Sequence, residues 1–222
     1  MGQEIDLLDL YPKSKRPIDE RAALIKEEQR AIARKFDKEY FDGERLTGYG
    51  GYNYHPRFWT DTVKRFRDHY GLVQNARILD VGCAKGFMMY DFKLLMPQAE
   101  ILGIDVSKYA YDHCKPEMKP FITVANANNI PFPDKYFDLV ICINTVHNLP
   151  LIDCKQALRE IERVGRGKAY VVNDAWHNEA EKASMLKWNL TALTYMHVDD
   201  WKKLFAEVGY TGDYWWFIAQ SA

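Results

Sequence analysis

The sequence lacks the features that would place a protein on a nucleic acid or in a membrane. Its 30 Lys and Arg residues are balanced by 31 Asp and Glu residues, so no overall basic excess is present to bind a phosphate backbone. No apolar run reaches membrane-spanning length. The first residues, MGQEIDLLDL, carry acids where a secretion signal needs basic and then apolar residues. We therefore expect a cytoplasmic protein with no membrane partner, and nucleic acid is disfavoured as a partner.

Cysteine is scarce, and the four cysteines lack the spacing of a metal site. Neither CxxC spacing nor Cys/His metal-ligand spacing occurs around Cys83, Cys114, Cys142 and Cys154. Two of them lie in apolar, strand-like runs, where Cys behaves as a small hydrophobic residue. We expect reduced thiols and no metal. The remaining composition, 47% hydrophobic and 27% charged residues over 222 positions, is typical of one globular domain with an additional segment.

What the sequence does contain is a regular alternation of strand-like and helix-like segments after residue 70. Strands are predicted at 77–81, 100–104, 120–124, 137–143 and 168–173. Helices are predicted between them at 86–96, 107–114 and 153–164. A helix from Asp199 to Gly209 and a final aromatic strand in DYWWFIAQ follow. This succession predicts an α/β fold, a parallel sheet with helices on both faces.

The first 70 residues have a different character. Residues 1–17 end in the basic, proline-bracketed run YPKSKRP, which predicts a flexible arm able to contact an acidic partner, protein or RNA. Helical spacing of apolar residues begins at Asp19, and a second helix is predicted at 59–70. Between them, GERLTGYGGYNYHPRFW combines four glycines with many aromatics and forms no regular element. We interpret 18–70 as a helical cap with an aromatic and glycine-rich lid.

The run RILDVGCAKGF, residues 77–87, predicts a strand followed by a glycine turn and a helix N-terminus, an arrangement that binds nucleotide-like cofactors. Gly82 to Gly86 spans five residues where the dinucleotide fingerprint spans six, and Lys85 does not fit a P-loop. Asp105 ends the second predicted strand, where an acid accepts hydrogen bonds from ribose hydroxyls. That acid fits either NAD or S-adenosylmethionine.

Three segments together resemble the class I S-adenosylmethionine-dependent methyltransferase family, in its small-molecule, type 11-like group. They are RILDVGCAKGF, ILGIDVS and IPFPDKYFDLVICINTVHNL, and the likeness covers residues 75–220. The resemblance implies a Rossmann-like, seven-stranded, mostly parallel sheet with an antiparallel last strand and helices on both faces. It also implies S-adenosyl-L-methionine as cofactor and residues 71–222 as its binding domain.

The resemblance, with the lid hypothesis for the two tyrosines, also assigns cofactor-binding residues. These are Asp80, Gly82, Cys83, Ala84, Gly86, Asp105, Val106, Asn126, Ala127, Asn128, Asn144, Tyr49 and Tyr52. Ala84 replaces the middle glycine of the motif, which we interpret as a tolerated exchange. Asn126 stands where the family often has Asp, and its amide oxygen can accept the same hydrogen bond.

Catalytic candidates follow the fourth and fifth predicted strands, where ligands collect in open α/β sheets. His147 is a candidate general base, and Asp174 with His177 forms a second candidate pair. Packing and helix capping are equally good interpretations of these residues.

We expect methyl transfer to oxygen or nitrogen of a small, hydroxylated or sugar-like acceptor. A non-catalytic S-adenosylmethionine-binding subunit or sensor, or a nicotinamide oxidoreductase, are the alternatives; no oligomeric state follows from the sequence.

Overall fold

A computed structural model describes residues 2–12 and 17–219, and its centre is a seven-stranded sheet. The strands are β1 (Arg77–Val81), β2 (Glu100–Asp105), β3 (Ile122–Val124), β4 (Leu139–Ile143), β5 (Ala169–Trp176), β6 (Met196–His197) and β7 (Asp213–Phe217). The order is β3-β2-β1-β4-β5, and β5 also pairs with both β6 and β7. The strand order reverses between β1 and β4, which places a ligand crevice at the carboxyl ends of these strands.

Nine α-helices surround this sheet in the described part of the chain. They are α1 (Ile18–Leu24), α2 (Glu27–Ala33), α3 (Lys38–Phe41), α4 (Pro56–Tyr70), α5 (Phe87–Leu95), α6 (Lys108–Asp112), α7 (Leu151–Val164), α8 (Glu179–Trp188) and α9 (Val198–Val208). Short 3-10 turns at Lys119–Phe121 and Val146–Asn148 precede β3 and α7. Among the described residues, no helix is both long and apolar enough to cross a membrane.

Neighbouring residues of the central strands supply two separate cores, because successive side chains of a strand point to opposite faces. Ile78 packs in the core that contains residues of α4 and α5. Leu79 packs in the other core, with residues of α7 and α9. Both strand residues are fully buried. Helices therefore cover both faces of the sheet, and the predicted Rossmann-like α/β architecture is confirmed.

The direction of the last strand corrects the prediction. We expected β7 to be antiparallel, but it pairs in parallel with β5, in a register that joins Tyr170 to Asp213 and Asp174 to Phe217. The connection explains the difference. β7 directly follows α9, and a crossover helix returns the chain to the end of the sheet where the preceding strand began. An antiparallel last strand would need a hairpin from a neighbouring strand, whereas only residues 209–212 separate α9 from β7.

Part of the segment predicted as a flexible arm, 1–17, is folded against the sheet, which corrects that prediction. The backbone of Ile5 donates to Tyr214 at 3.0 Å, so this segment pairs with β7. The Leu7 side chain is fully buried in the core, and its backbone N–H donates to the Tyr170 hydroxyl at 3.1 Å. Residues 3–8 are therefore part of the folded domain. The basic stretch at 13–16, on which partner contacts were predicted, lies outside the described residues.

The helical cap is more broken than helical spacing predicts. One helix was expected from Asp19, but the chain forms α1, α2 and α3 in succession. Ile25 is extended, and Phe36 adopts a left-handed φ of 50°. The Phe36 carbonyl accepts a hydrogen bond from the Ser107 hydroxyl, next to the end of β2. No proline or glycine marks these breaks, so helical spacing alone could not locate them. The irregular segment predicted over 43–59 is irregular only as far as 55, because its last four residues form the first turn of α4.

Candidate cofactor and acceptor site

The turn after β1 is shaped by three residues with left-handed backbone. Gly82, Ala84 and Gly86 have φ values of 82°, 49° and 73°. A Cβ atom on Gly82 would overlap the Thr145 side chain, so only glycine fits there. The backbone N–H groups of Gly82 and Cys83 both donate to Ile104, at 2.8 and 3.0 Å. The turn is therefore fixed against β2, and Gly86 lies at the start of α5 rather than on the cavity wall.

Asp105 links the turn to the end of β2. One carboxylate oxygen accepts a 2.8 Å hydrogen bond from the backbone of Ala84, and the other accepts a 2.8 Å bond from Ser107. Burial raises the pKa of Asp105, and these two backbone N–H groups oppose the rise. The acid predicted to bind ribose thus also holds the glycine turn. Asp105 ends β2, as predicted, and lines the cavity, while its contact with ribose stays a prediction.

Asp80 is a buried carboxyl group that faces the same cavity. It is 5% exposed, and within the described residues no hydrogen bond reaches its carboxylate. Burial and the negative charge of Asp105 raise the pKa of Asp80 to about 8. Two acids at the carboxyl ends of β1 and β2 thus create a site that is electrostatically unfavourable until a cation or hydroxyl donors arrive.

The predicted adenine-side residues divide into two groups. Val106, Asn126 and Ala127 line the cavity beside Ile104. Asn128 does not, because its side-chain amide donates to Asp153 on α7 at 3.0 Å. The Asn126 amide oxygen accepts from the backbone of Asn128 at 3.2 Å. The Asn128 side chain therefore contacts α7 instead of lining the cavity. Its predicted place beside the adenine is corrected accordingly.

The two predicted lid tyrosines lie in an aromatic cluster above the turn. The rings of Tyr49 and Tyr52 are 4.4 Å apart, and Tyr52 stacks on Phe87 at 4.9 Å. Tyr40, which the sequence did not single out, contacts Tyr49 at 5.1 Å. All three tyrosines line the cavity. Aromatic faces of this kind attract cations such as a sulfonium.

Two further residues that the sequence analysis missed hold this cluster in place. Lys85 lies inside the glycine turn, and its ammonium group donates to Asp42 at 2.6 Å. Asp42 ends α3. A buried lysine in a turn signals the need for an anionic partner, but nothing in the sequence pattern identifies that partner 43 residues earlier.

Asn144 and His147 follow β4 at the opposite wall. Asn144 lines the cavity with a left-handed φ of 52°, and its backbone N–H donates to Val172 at 2.9 Å. His147 is 3% exposed. Its Nδ1 accepts a 3.0 Å hydrogen bond from the backbone of Asp174, and its Nε2 lies 3.7 Å from Oδ1 of Asp174. The structure therefore brings together two of the three catalytic candidates.

His177 is placed differently from the other two candidates. It lines the cavity, but its side chain is 48% exposed, and its Nδ1 lies 3.0 Å from Glu181 on α8. Its backbone carbonyl is 2.9 Å from Nε2 of His197. The capping of α8 belongs to Asn178, whose side chain accepts from Glu181. His177 thus lies at the mouth of the cavity, bound to a neighbouring acid.

One continuous cavity of about 1370 Å³ joins these regions. A pocket for a single small ligand typically has roughly 300–1,000 Å³, so this volume accommodates a cofactor and an acceptor together. Aromatic residues from separate segments of the chain also line this cavity. These include Tyr11, Trp59, Trp188, Trp215 and Phe217. Among the described residues, no group of three or more His, Cys, Asp or Glu side chains is placed to hold a metal ion.

Comparison with known proteins agrees with this geometry. Residues 79–173 match the family model described as a methyltransferase domain. This central region of the chain is therefore a methyltransferase domain. The crystal structure of the YcgJ protein from Bacillus subtilis aligns with a TM-score of 0.54 at 17% identity, over 66% of each chain. At this identity, the alignment shows that the two methyltransferase-type folds are alike.

Two curated relatives of this chain differ in what their names say they act on. One is named tRNA (carboxymethyluridine(34)-5-O)-methyltransferase, from Arabidopsis thaliana, and is 31% identical over 59% of this chain and 31% of its own length. The other is named malonyl-[acyl-carrier protein] O-methyltransferase, from Legionella pneumophila, and is 27% identical over 60% of this chain and 48% of its own length. The chain thus spans a third to a half of the length of these relatives.

Proposed function

We propose that this chain is an enzyme that transfers the methyl group of S-adenosylmethionine to an oxygen or nitrogen of a small, hydroxylated acceptor. The observation that carries the proposal is a pair of carboxyl groups, the buried Asp80 and the half-buried Asp105, which face one cavity at the switch point of the sheet. A ligand that carries both a cation and a ribose suits this pair. A nicotinamide dinucleotide would bring phosphates to this turn and no ammonium group to stabilise an ionised Asp80, which supports S-adenosylmethionine as the cofactor.

The residues present fit this cofactor. Asp105 is the expected acceptor of ribose hydroxyl hydrogen bonds, and Asp80 is the expected neighbour of the methionine ammonium. Val106 and Ala127 would flank the base, and Tyr49 and Tyr52 would cover the ligand from the cap. When bound, S-adenosylmethionine supplies an electrophilic methyl group on a good leaving group. The protein then has mainly to align the acceptor and exclude water, and alignment lowers a barrier by roughly 7–11 kcal/mol.

The lining of the cavity favours an acceptor with both flat and hydroxyl-bearing parts. Aromatic side chains supply faces for packing, and numerous polar side chains can pair with hydroxyl groups. Asp174, which lines the cavity, is the group placed to take a proton from an acceptor hydroxyl. His147 is placed to hold Asp174 in position through its Nε2 side. An amine acceptor needs no base, provided that it arrives deprotonated.

The two curated relatives described above act on a tRNA and on a malonyl-[acyl-carrier protein], according to their names. Their acceptors therefore give no common guide to this one. The choice of a small molecule rests on the aromatic side chains that line the cavity and on the near-neutral charge of the whole chain. Such a charge provides little attraction for a long phosphate backbone.

The cofactor part of the proposal is tested by calorimetric titration with S-adenosylhomocysteine at pH 7 in two buffers of different ionisation enthalpy. Because a cation stabilises the ionised form of Asp80, binding should release about one proton per ligand from a carboxyl group whose pKa is about 8. The Asp80→Asn variant should bind without this release. Binding of NAD together with no binding of S-adenosylmethionine would contradict the proposal.

The catalytic part is tested by following S-adenosylhomocysteine formation from S-adenosylmethionine in the presence of pooled hydroxylated and amine metabolites. Turnover that depends on one pool supports a small-molecule methyltransferase. Cofactor binding without turnover on any pool would favour a non-catalytic binding subunit or sensor. Methylation of tRNA or of a carrier protein, with no turnover on small molecules, would show that the assigned acceptor class is wrong.

A further inference from the structure

Lys85, which is buried, and Asp42, whose side chain is 27% exposed, form an ion pair between the glycine turn and the cap. The Lys85 side chain is 6% exposed, and its ammonium nitrogen lies 2.8 and 2.6 Å from the two carboxylate oxygens of Asp42. A third hydrogen bond, 3.0 Å long, goes to the backbone carbonyl of Tyr52. An ammonium group has three donors, so these contacts use all of its hydrogen-bonding capacity.

The Asp42 carboxylate accepts hydrogen bonds from three separate parts of the chain. Besides Lys85, it accepts a 3.0 Å hydrogen bond from the backbone of Tyr52 and a 2.9 Å bond from the hydroxyl of Tyr109 on α6. Burial acts to raise the pKa of Asp42, but the hydrogen bonds from Lys85 and Tyr52 outweigh it and lower the pKa. The carboxylate is therefore ionised at neutral pH, and the ion pair persists there.

The consequence for Tyr52 is a fixed backbone. Its N–H donates to Asp42 and its carbonyl accepts from Lys85, so both backbone groups are held by the same ion pair. This fixes where the Tyr52 ring stacks on Phe87 and meets Tyr49. Neither Lys85 nor Asp42 lines the cavity, whereas Tyr52 does. Any effect of the pair on a ligand must therefore pass through the residues that it holds.

We propose that the Asp42–Lys85 pair is a latch that couples the cap to the glycine turn by holding Tyr52 over the cofactor. Lys85 lies directly between Ala84 and Gly86. The turn proposed to bind the cofactor therefore also holds Tyr52, the residue proposed to cover it. Both latch residues are positioning residues that contact no ligand. The inference rests on the proposed function, because it takes the turn to be the S-adenosylmethionine site.

A double-mutant cycle in the full chain tests whether the latch acts through Tyr52. The dissociation constant of S-adenosylhomocysteine is measured by calorimetry for the wild type, Lys85→Met, Tyr52→Ala and the double variant. We expect each single substitution to weaken binding on the order of tenfold. The double variant should bind no more weakly than Tyr52→Ala alone. A double variant that shows the product of the two single losses would overturn the latch, because Lys85 would then act on the turn directly.

Hydrogen exchange gives a second readout that needs no ligand. The amide of Tyr52 should exchange faster in Lys85→Met than in the wild type, since loss of the ammonium group frees the segment that the pair holds. Lys64→Met, which removes an exposed ion pair to Asp61 on α4, is the matched control and should change neither binding nor exchange. Unchanged exchange at Tyr52 in Lys85→Met would contradict the proposal.

The two proposals fail in distinguishable ways. If the wild type does not bind S-adenosylhomocysteine, the proposed function is wrong, and the exchange experiment still decides the latch. If the wild type binds and Lys85→Met binds equally well, the latch is wrong and the proposed function stands. Should Lys85→Met not fold, Asp42→Asn keeps the size of the side chain while removing its charge, and it is expected to show the same loss of affinity and the same faster exchange.

Discussion

The backbone N–H of Asp174 donates a 3.0 Å hydrogen bond to Nδ1 of His147, and this bond determines which nitrogen of the buried imidazole carries a proton. With Nδ1 as acceptor, the neutral ring has its hydrogen on Nε2, which lies 3.7 Å from the Asp174 carboxylate. Burial lowers the pKa of His147, so the ring is neutral at pH 7 although Asp174 opposes the shift. Of the two residues, Asp174 is therefore better placed to accept a proton.

This arrangement predicts different effects for the two residues. Asp174→Asn should reduce turnover on a hydroxyl acceptor by about 10²- to 10⁴-fold, the usual contribution of a general base, and leave the affinity for S-adenosylhomocysteine within about twofold. His147→Asn should reduce turnover by a smaller factor, about tenfold, because it acts by positioning. Steady-state kinetics and calorimetry measure the two effects. Full activity of Asp174→Asn would remove Asp174 from the mechanism.

The buried carboxyl group of Asp80 predicts a pH-dependent stability of the ligand-free protein. The folded-state pKa of about 8 lies above the unfolded value of 3.8, so the folded state binds the proton more tightly. The contribution of Asp80 to the free energy of unfolding therefore decreases as pH rises from about 4 to about 8, and is constant above. Asp80→Asn should gain stability over the wild type across this range, by more than about 1.4 kcal/mol at pH 8.5.

Denaturant unfolding at pH 5.5, 7 and 8.5 provides the measurement for Asp80. The control is Asp61→Asn, since Asp61 is an exposed carboxylate on α4. Its unfolding free energy should follow that of the wild type at every pH. If the Asp80→Asn and wild-type values also remain parallel over this range, the carboxyl group does not titrate as its surroundings require.

Replacement of Ala84 by glycine should stabilise the folded protein. Its φ of 49° costs an L-residue about 1–2 kcal/mol, whereas glycine pays about 0.5–1 kcal/mol in chain entropy. Ala84→Gly should therefore raise the melting temperature by up to about 4 °C, with affinity for S-adenosylhomocysteine unchanged. Ala84→Val should lower it, because a branched side chain tolerates this backbone poorly. A melting temperature that falls in Ala84→Gly would show that the methyl group makes a needed contact.

Two substitutions of Asp105 should reduce the affinity for S-adenosylhomocysteine to different degrees. Each carboxylate oxygen accepts one backbone N–H, from Ala84 and from Ser107. Asp105→Asn keeps one acceptor oxygen, and Asp105→Ala keeps none. We expect the affinity for S-adenosylhomocysteine to fall at least tenfold in the Asp105→Asn variant and further in the Asp105→Ala variant. Asp112→Asn, on the exposed α6, is the control that should bind normally. Equal affinity of Asp105→Asn and the wild type would remove the acid from the ribose site.

The fold was predictable because hydrophobic pattern and strand spacing carry most of its information. β1 was predicted at its observed bounds, and the helix after Asp199 ends at Gly209, which has the left-handed φ of a helix C-cap. The direction of β7 was not predictable from the same pattern. An aromatic strand looks alike in either direction, and only the connection through α9 and the space beside β5 decide it.

The candidate site was predictable where its residues follow a motif, and not elsewhere. Asp80 and Asp105 both lie where the glycine turn and the end of β2 imply. The latch between Asp42 and Lys85 depends on two residues brought together by tertiary packing, with no periodicity to mark the first. Asn128 was misplaced for the same reason, since its partner Asp153 belongs to a later helix.

The pairing of Glu4 with Tyr214 makes part of the fold depend on two segments that are 210 positions apart. The segment around Glu4 contacts β7, so it has no strand to pair with until β7 has joined the sheet beside β5. Leu7 therefore reaches its complete burial late in folding, because contacts of large sequence separation are slow to form. Its arrival completes the sheet beside β7.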